Sequence, residues 1–289
     1  MPPDVSLVIV NYKVKPLVMR LLLSIRAHVR IPHEIFVVDN ASGDGIAADL
    51  ARDFPDVRVI ANADNRGFAA ANNQAARAAK GRHVLLLNPD TELIEDCVTP
   101  LVQFADAHPQ TGVVGCRVLN PDRTLQHSVL AFPTLGSQVP IMLKLHHLFP
   151  HLPAVRRYLR RDFDYERTQQ VDQVIGACFL MTRAALDTIG LLDERYFIWF
   201  EEVDYCRMAK NAGLEVWYTP QTQIVHHGGQ SFAQVFAPRR QRYFDASLVK
   251  YMRKHHGAGA SMVVRVLHPL ALFLAWIIGL LGIKRSTYA

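Results

Sequence analysis

What most constrains this chain is the alternation of four strand patterns with three helix patterns in its N-terminal third. Val5–Val10 is an apolar, largely β-branched run, and Leu17–His28 has helical spacing. Glu34–Val38, Asp44–Asp53, Val57–Ala61, Phe68–Lys80 and His83–Leu87 continue the alternation. Short strands that are apolar on both faces belong in a parallel sheet covered by helices on either side. The expected fold class is therefore α/β, a doubly wound sheet. Polar residues close successive strands: Asn11-Tyr12, Asp39-Asn40-Ala41-Ser42 and Asn88-Pro89-Asp90. In such sheets ligands bind at the carboxyl ends of the strands.

Further on, Pro100–His108 reads as a helix, and Thr111–Val118 and Val171–Thr182 as strands. Tyr196–Asn211 runs into a helix, Leu214–Tyr218 is a strand, and Gln223–Ser231 is a Gly-rich loop. Thr124–Thr168, with several prolines, reads as a long insertion or mobile lid. The expected division is a catalytic domain over 1–235 and a basic, then apolar, tail over 236–289.

Half of the 289 residues are hydrophobic and a fifth are charged, which excludes intrinsic disorder. The net charge is +6, and the excess is local. Between Phe232 and His256 stand Arg239, Arg240, Arg242, Lys250, Arg253 and Lys254, against Asp245 alone. The rest is nearly neutral, so no nucleic-acid partner is expected. Cys97, Cys116, Cys178 and Cys206 form no CxxC pair, so a zinc ribbon or redox motif is not expected. The N-terminus lacks a basic leader region and reads as a buried strand, which places the catalytic body in the cytoplasm.

Val266–Ile283 is apolar except for His268, with Arg265 before it and Lys284-Arg285 after it. Its length is at the lower edge of a membrane span. A span, an in-plane or re-entrant segment and a helix packed on the domain all fit, and basic residues on both flanks favour membrane association.

Five motifs can carry chemistry, and each has a plainer reading. Asp39 at a strand end can accept the N3–H of a pyrimidine, or Asp39-Asn40-Ala41-Ser42 can cap a helix. Gly67 and Arg66 at the start of a helix suit a diphosphate, or the helix is ordinary; Asn72-Asn73 within an Ala-rich helix lean toward function. Asp90 can hold a divalent cation, or Asn88-Pro89-Asp90 is a turn. Behind the aromatic run Phe197–Phe200, Glu201, Glu202 and Asp204 are a solvated helix start or include a general base of raised pKa. His226-His227 on a Gly-rich loop suits a ligand or catalytic site. No GxGxxG follows the first strand, and Asn11-Tyr12-Lys13-Val14-Lys15 has no glycine, which excludes NAD enzymes and nucleotidyltransferases.

Taken in order, the motifs resemble the family 2 inverting glycosyltransferases of the GT-A fold, in their bacterial rhamnosyltransferase-like branch. The resemblance runs from Val5 to Ser231. It also rests on Gly176-Ala177-Cys178-Phe179-Leu180, Gly190-Leu191-Leu192-Asp193-Glu194, Gly229 and Ser231. It implies a mixed sheet with a Rossmann-like nucleotide-binding half and an acceptor half. It implies a nucleotide diphosphate sugar donor near Asn11, Asp39, Asn40, Arg66, Gly67, Asn88 and Asp90. It implies Mg²⁺ or Mn²⁺ on Asp90 and His226, Glu202 as base with Asp204 as its rival, and an acceptor near Trp199 and Glu201.

Two residues depart from the pattern. Asn88 stands where a charged metal ligand is usual, which weakens metal dependence, and Glu201-Glu202 stands for Glu-Asp. The implied reaction moves a sugar, L-rhamnose from dTDP-rhamnose, to a polyprenyl-diphosphate-linked saccharide in cell-envelope polysaccharide synthesis. The enzyme would be peripheral or monotopic at the cytoplasmic face of the cell membrane. Arg156, Arg157, Arg160 and Arg161 of the insertion could clasp the acceptor diphosphate. The alternatives are a UDP-sugar donor (galactose, galactofuranose or N-acetylglucosamine) and a catalytically dead, membrane-tethered sugar-nucleotide-binding protein. The Asp90, Glu202 and His226 set argues against the dead site.

Overall fold

Every residue of the first apolar run is buried, and Val5–Asn11 forms β1. The computed structural model describes residues 3–149, 151–228 and 237–280. Helix α1 (Lys15–His28) buries Val18, Leu21, Leu22 and Ile25. Then β2 (His33–Asp39), α2 (Ile46–Asp53), β3 (Arg58–Ala61), α3 (Phe68–Ala78) and β4 (His83–Leu87) follow in the expected order. Strand β1 pairs in parallel with β2 and β4, and β2 with β3. Asn11 stands level with Asp39, so the polar strand ends share one edge.

Beyond β4 the sheet becomes mixed. Its later elements are β5 (Thr91–Leu93), α4 (Val98–Ala107), β6 (Thr111–Leu119), β10 (Cys178–Met181), α8 (Arg183–Ile189), α9 (Glu201–Asn211) and β11 (Glu215–His226). Strand β10 lies antiparallel between β4 and β6, while β11 is parallel to β6 and antiparallel to β5. Among the described residues the order is β3-β2-β1-β4-β10-β6-β11-β5, with β8 (Gln169–Gln170) paired to β11. Alternate residues of β1 feed two cores. Leu7 and Ile9 pack with α1, α2 and α4, whereas Val8 and Val10 pack with α3 and α9.

Three expectations need correction. Val171–Thr182 is not one strand: β9 (Gln173–Val174) leaves the main sheet to pair with β7 (Val129–Leu130), and β10 resumes after Gly176. The strand expected to end at Tyr218 continues to His226, past an irregularity between Thr219 and Gln223 where Pro220 has no N–H to give. His226 therefore ends a strand rather than sitting on a loop. The insertion is not an irregular lid, because it holds α5 (Leu135–Met142), α6 (Leu145–Leu148) and α7 (Pro153–Tyr158). A Thr134–Ser137 capping box starts α5, and Pro153 starts α7.

The tail forms α10 (Ala237–Leu280), broken at Gly257, where φ is 87° and ψ −179°. Asp245 Oδ2 and His268 Nδ1, on opposite sides of the break, are 2.7 Å apart. The stretch 258–280 thus folds back on 237–256 as a hairpin. Val264 and Ala271 pack with Leu248, Tyr251, Met252, Phe200 and Val203. The other face is bare: Val266 is 69% exposed, Phe273 55% and Trp276 48%. The helix therefore packs on the domain by one face and presents an apolar stripe by the other. Residues past Leu280, and Gly229 and Ser231 of the expected loop, lie outside the described residues.

One buried carboxylate joins α9 to α10. Asp204 lies 2.7 Å from Lys254 Nζ and 2.6 Å from His255 Nε2, and accepts from the Tyr196 hydroxyl at 3.3 Å. Removing one member of a buried ion pair typically costs roughly 3–5 kcal/mol. Asp204→Asn is therefore expected to lower Tm by about 6 °C or more, measured by thermal unfolding. An unchanged Tm would show that the clamp carries no stability.

Candidate active site

At the end of β1, Asn11 is fully buried, and its Nδ2 lies 3.2 Å from Asp39 Oδ1, 2.9 Å from Ser42 Oγ and 3.0 Å from Asp44 Oδ2. Its Oδ1 accepts from Val14 N. Asn40 is enclosed in the same way. It donates to Asn65 Oδ1 and Gly67 O, and accepts from Asn62 Nδ2 and Arg66 N. Both amides are used within the protein. Both side chains, expected from sequence to stand near a donor, hold the loops at this edge together. Asp39 is half-buried at this edge, and Arg66 is exposed beside it.

The need for glycine at position 67 has a different cause from the one expected. Gly67 has φ +85°, and an added Cβ would lie 2.5 Å from Phe197 O. Gly67 N donates to Asn65 Oδ1 and Phe68 N to Phe197 O. The backbone that approaches Gly67 closely is that of Phe197. The asparagine pair is structural too. Asn72 donates to Phe68 O, and Asn73 exchanges bonds with the Leu192 backbone and donates to Glu194 Oε1. Asn73 thereby ties α3 to the Gly190–Glu194 segment.

At the end of β4, Asp90 and His226 meet. Asp90 Oδ1 is 3.3 Å from His226 Nε2, and both side chains are buried. His226 Nδ1 is 2.6 Å from Gln126 Oε1. An amide oxygen only accepts, so that nitrogen carries a proton, and Nε2 is the ring atom that faces Asp90. Asn88 Nδ2 is 3.4 Å from the same Nε2. A carboxylate oxygen and an imidazole nitrogen 3.3 Å apart fit a divalent cation whose other ligands are phosphate and water. Among the described residues no third His, Cys, Asp or Glu completes the group.

The acids of α9 differ in their surroundings. The chain enters the helix through Trp199 (φ 60°) and Phe200 (φ 71°), two left-handed residues in succession. Such conformations cost energy and cluster at functional sites. They are held by α10, with Phe200 against Phe244 and Tyr251, and Trp199 edge-on to Phe244. Glu201 Oε2 and Glu202 Oε2 are buried with no hydrogen-bond partner. Burial, then the Glu202 charge, holds the Glu201 carboxyl well above its usual range, and burial raises Glu202 as well. Glu202 is the more exposed of the two, and its side chain packs about 4 Å from the site of a Gly176 Cβ. The next residue, Ala177, accepts from Asn88 N at 3.1 Å. A single loop therefore links Glu202 to the Asp90–His226 pair. Asp204, bound to Lys254 and His255, is already engaged and does not fit the part of rival base.

Gln126 had no signal in the sequence, since it lies in the stretch read as an insertion. Phe197 was legible only as one of an aromatic run.

Residues 2–245 match the family model described as glycosyltransferase like family 2. An N-acetylglucosaminyl-diphospho-decaprenol L-rhamnosyltransferase of Mycobacterium tuberculosis (strain H37Rv) is 25% identical over 86% of this chain and 84% of its own length. The O-antigen biosynthesis protein RfbC of Myxococcus xanthus is 30% identical over 79% of this chain and 18% of its own length. Among solved structures, mannosyltransferase PcManGT of Pyrobaculum calidifontis, in complex with GDP-Man and Mn²⁺, aligns with a TM-score of 0.59. It is 18% identical, over 99% of this chain and 77% of its own. S. aureus TarS in complex with UDP aligns with a TM-score of 0.55, at 15% identity, over 86% of this chain and 65% of its own. The chain belongs to glycosyltransferase family 2 and is a glycosyltransferase of the GT-A fold.

Proposed function

We propose that this glycosyltransferase moves L-rhamnose from dTDP-rhamnose to a hydroxyl of a polyprenyl-diphosphate-linked saccharide, with inversion, at the cytoplasmic face of the cell membrane. The observation that carries the chemistry is Glu202, a carboxyl of raised pKa one loop away from Asp90 and His226. The activity for which the mycobacterial relative is named, in an alignment that covers most of both chains, supports the choice of donor and acceptor. A UDP-sugar donor is the second reading, supported by the UDP bound to TarS. A panel of nucleotide sugars offered to the purified chain separates the two. Release of no sugar from any of them would support a dead site.

In this reading Asp39 accepts the N3–H of the base, and Arg66 lies by the nucleotide. Glu202 takes the proton of the acceptor hydroxyl. The hydroxyl oxygen bonds to the anomeric carbon from the face opposite the diphosphate, the bond to the leaving oxygen breaks, and the centre inverts. Asp90 and His226 would hold Mg²⁺ or Mn²⁺, which supplies positive charge against the departing diphosphate. Gln126 fixes the ring of His226. Residues 1–235 would carry this chemistry, and 236–289 the membrane contact. The stripe of Val266, Phe273 and Trp276, near the basic 239–254 stretch, suits a helix lying in the plane of an anionic surface.

Glu202→Gln keeps the shape and removes the base, so turnover should fall roughly 10²–10⁴-fold with donor affinity kept. Glu201→Gln should retain most activity, because burial and the neighbouring Glu202 charge favour the neutral form of Glu201. Equal loss in both variants would remove the assignment. The base must be ionised, so kcat should rise with pH through an apparent pKa above the ordinary glutamate value.

Excess EDTA should stop transfer and Mn²⁺ or Mg²⁺ restore it. Gln126→Ala should raise the metal concentration for half-activity by about 10–100-fold. Full activity in EDTA would end the metal claim.

Val266→Asp, Phe273→Asp and Trp276→Asp together should weaken binding to phosphatidylglycerol vesicles, read by sedimentation, by ~1,000-fold or more, since each buried apolar side chain is worth about 1.5–3 kcal/mol. Unchanged sedimentation would end the membrane claim.

A further inference from the structure

Helix α7 and the turn after it shape a cleft of about 410 Å³, lined by Arg156, Arg157, Arg160, Arg161, Asp162 and Phe163. Arg156 pairs with Asp162 through several bonds, the nearest 2.8 Å. Arg160 lies over the Phe163 ring, 5.3 Å from its centroid. Arg157 and Arg161 are exposed. Four guanidinium groups and one carboxylate leave a surplus of three positive charges in one concavity. Next to it, sharing Pro153, is a second cleft of about 320 Å³ lined by Leu148, Phe149, His151 and Leu152. Leu148 is 73% exposed and Phe149 56%. A strongly cationic cleft that runs into an exposed apolar one suits an amphiphile with a multiply charged anionic head.

The two clefts are tied to the active site. Tyr158 O, at the end of α7, accepts from Ala131 N at 2.8 Å. Ala131 follows β7, which pairs with β9, and Ile175 N donates to Ser128 O. Gly176 then packs on Glu202. The same segment supplies Gln126, the partner of His226. The segment that borders the clefts is thus hydrogen-bonded to the one that packs on Glu202, and neither cleft is lined by residues of β1, β2 or β4.

We propose that the two clefts form one subsite for the acceptor. The Arg157, Arg160 and Arg161 guanidinium groups bind its diphosphate, and Leu148, Phe149 and Leu152 cover the first part of its hydrocarbon chain. This rests on the lipid-linked acceptor of the proposed function and extends it to named residues. Arginine forks match phosphate oxygens, and a diphosphate diester brings about two negative charges against the surplus of three. A bilayer phospholipid, with a single phosphate, would leave most of that charge unmatched.

The test uses the full chain and farnesyl diphosphate as probe, with no donor present. The wild-type chain should bind it, and farnesol much more weakly. Arg157→Gln with Arg161→Gln should weaken binding at least ~10-fold, the loss of about 1.4 kcal/mol in charge-assisted bonds. Arg167→Gln, an exposed position paired with Asp164 outside the cleft, should leave it unchanged. In transfer assays the double variant should raise KM for a farnesyl-diphosphate-linked sugar, but not for an alkyl glycoside without diphosphate, at constant donor KM. Several results would overturn the subsite: no binding by the wild type, equal binding of farnesol, or a double variant that binds normally. So would loss of phosphatidylglycerol vesicle binding with farnesyl diphosphate affinity intact, which would assign the arginines to bilayer head groups. The readings fail separately. Arginine-dependent binding without sugar transfer removes the proposed reaction and leaves the subsite. Transfer with unaltered affinity and KM in the double variant removes the subsite alone.

Discussion

The antiparallel entry of β10 between β4 and β6 is the constraint on which the site depends. In a purely parallel sheet the end of β4 would open onto a crossover helix. Here β10 runs the other way, so its start stands beside the end of β4, and Asn88 N reaches Ala177 O. Gly176 and Ala177 are the hinge of that arrangement. Their one side carries Asn88 and Asp90, and their other side carries Glu202. Segments from both halves of the chain, built on one sheet whose two faces each carry a core, therefore meet at this point.

The first half of the fold was legible because its strands are buried on both faces, and short apolar runs spaced by helical patterns fit little besides a covered parallel sheet. The site was legible as a set of residue types but not as a set of roles. Glu201, Glu202 and Asp204 look alike in sequence. What separates them is Lys254 and His255, some fifty positions on, which capture Asp204 and leave the two glutamates without cations. Gly67 and Asn73 were rightly singled out as unusual for their surroundings, yet the cause is Phe197 and Leu192, brought near by packing. Gln126 left no trace at all, since a lone polar residue in a variable stretch has no period or spacing to betray it. The extension of β11 to His226 was hidden by Pro220, a residue that argues against a strand until an irregularity accommodates it.

The burial of Glu201 and Glu202 has a thermodynamic sign. Both carboxyls hold their protons more tightly in the folded chain than in the unfolded one. Stability from these groups is fully present below the ordinary glutamate pKa and is lost as pH rises through the raised folded values. At a pH where both carboxyls are ionised, the fold is therefore less stable than at a pH where both keep their protons. Asp204 opposes this by tying the same helix to α10, so the first turn of α9 combines a strained entry, two destabilising acids and one stabilising ion pair.

Helix α10 does two things at once, and its hairpin shape explains why. Its first limb supplies Phe244, Tyr251, Lys254 and His255, which set the entry and position of α9. Its second limb covers Leu248, Tyr251 and Met252 and turns Val266, Phe273 and Trp276 outward. Removing everything after Gly257 would bare that apolar surface, so such a deletion tests folding before it tests any surface contact. Substitutions confined to the outward stripe avoid this, because the buried Val264 and Ala271 and the Asp245–His268 bond stay in place. The Asp245–His268 bond also explains the one polar side chain in an otherwise apolar run. His268 faces the first limb, and the carboxyl it meets is buried deeply enough that an unpaired partner would be costly. The direction in which the stripe faces is therefore fixed relative to Glu202 by packed, hydrogen-bonded contacts rather than by a flexible linker.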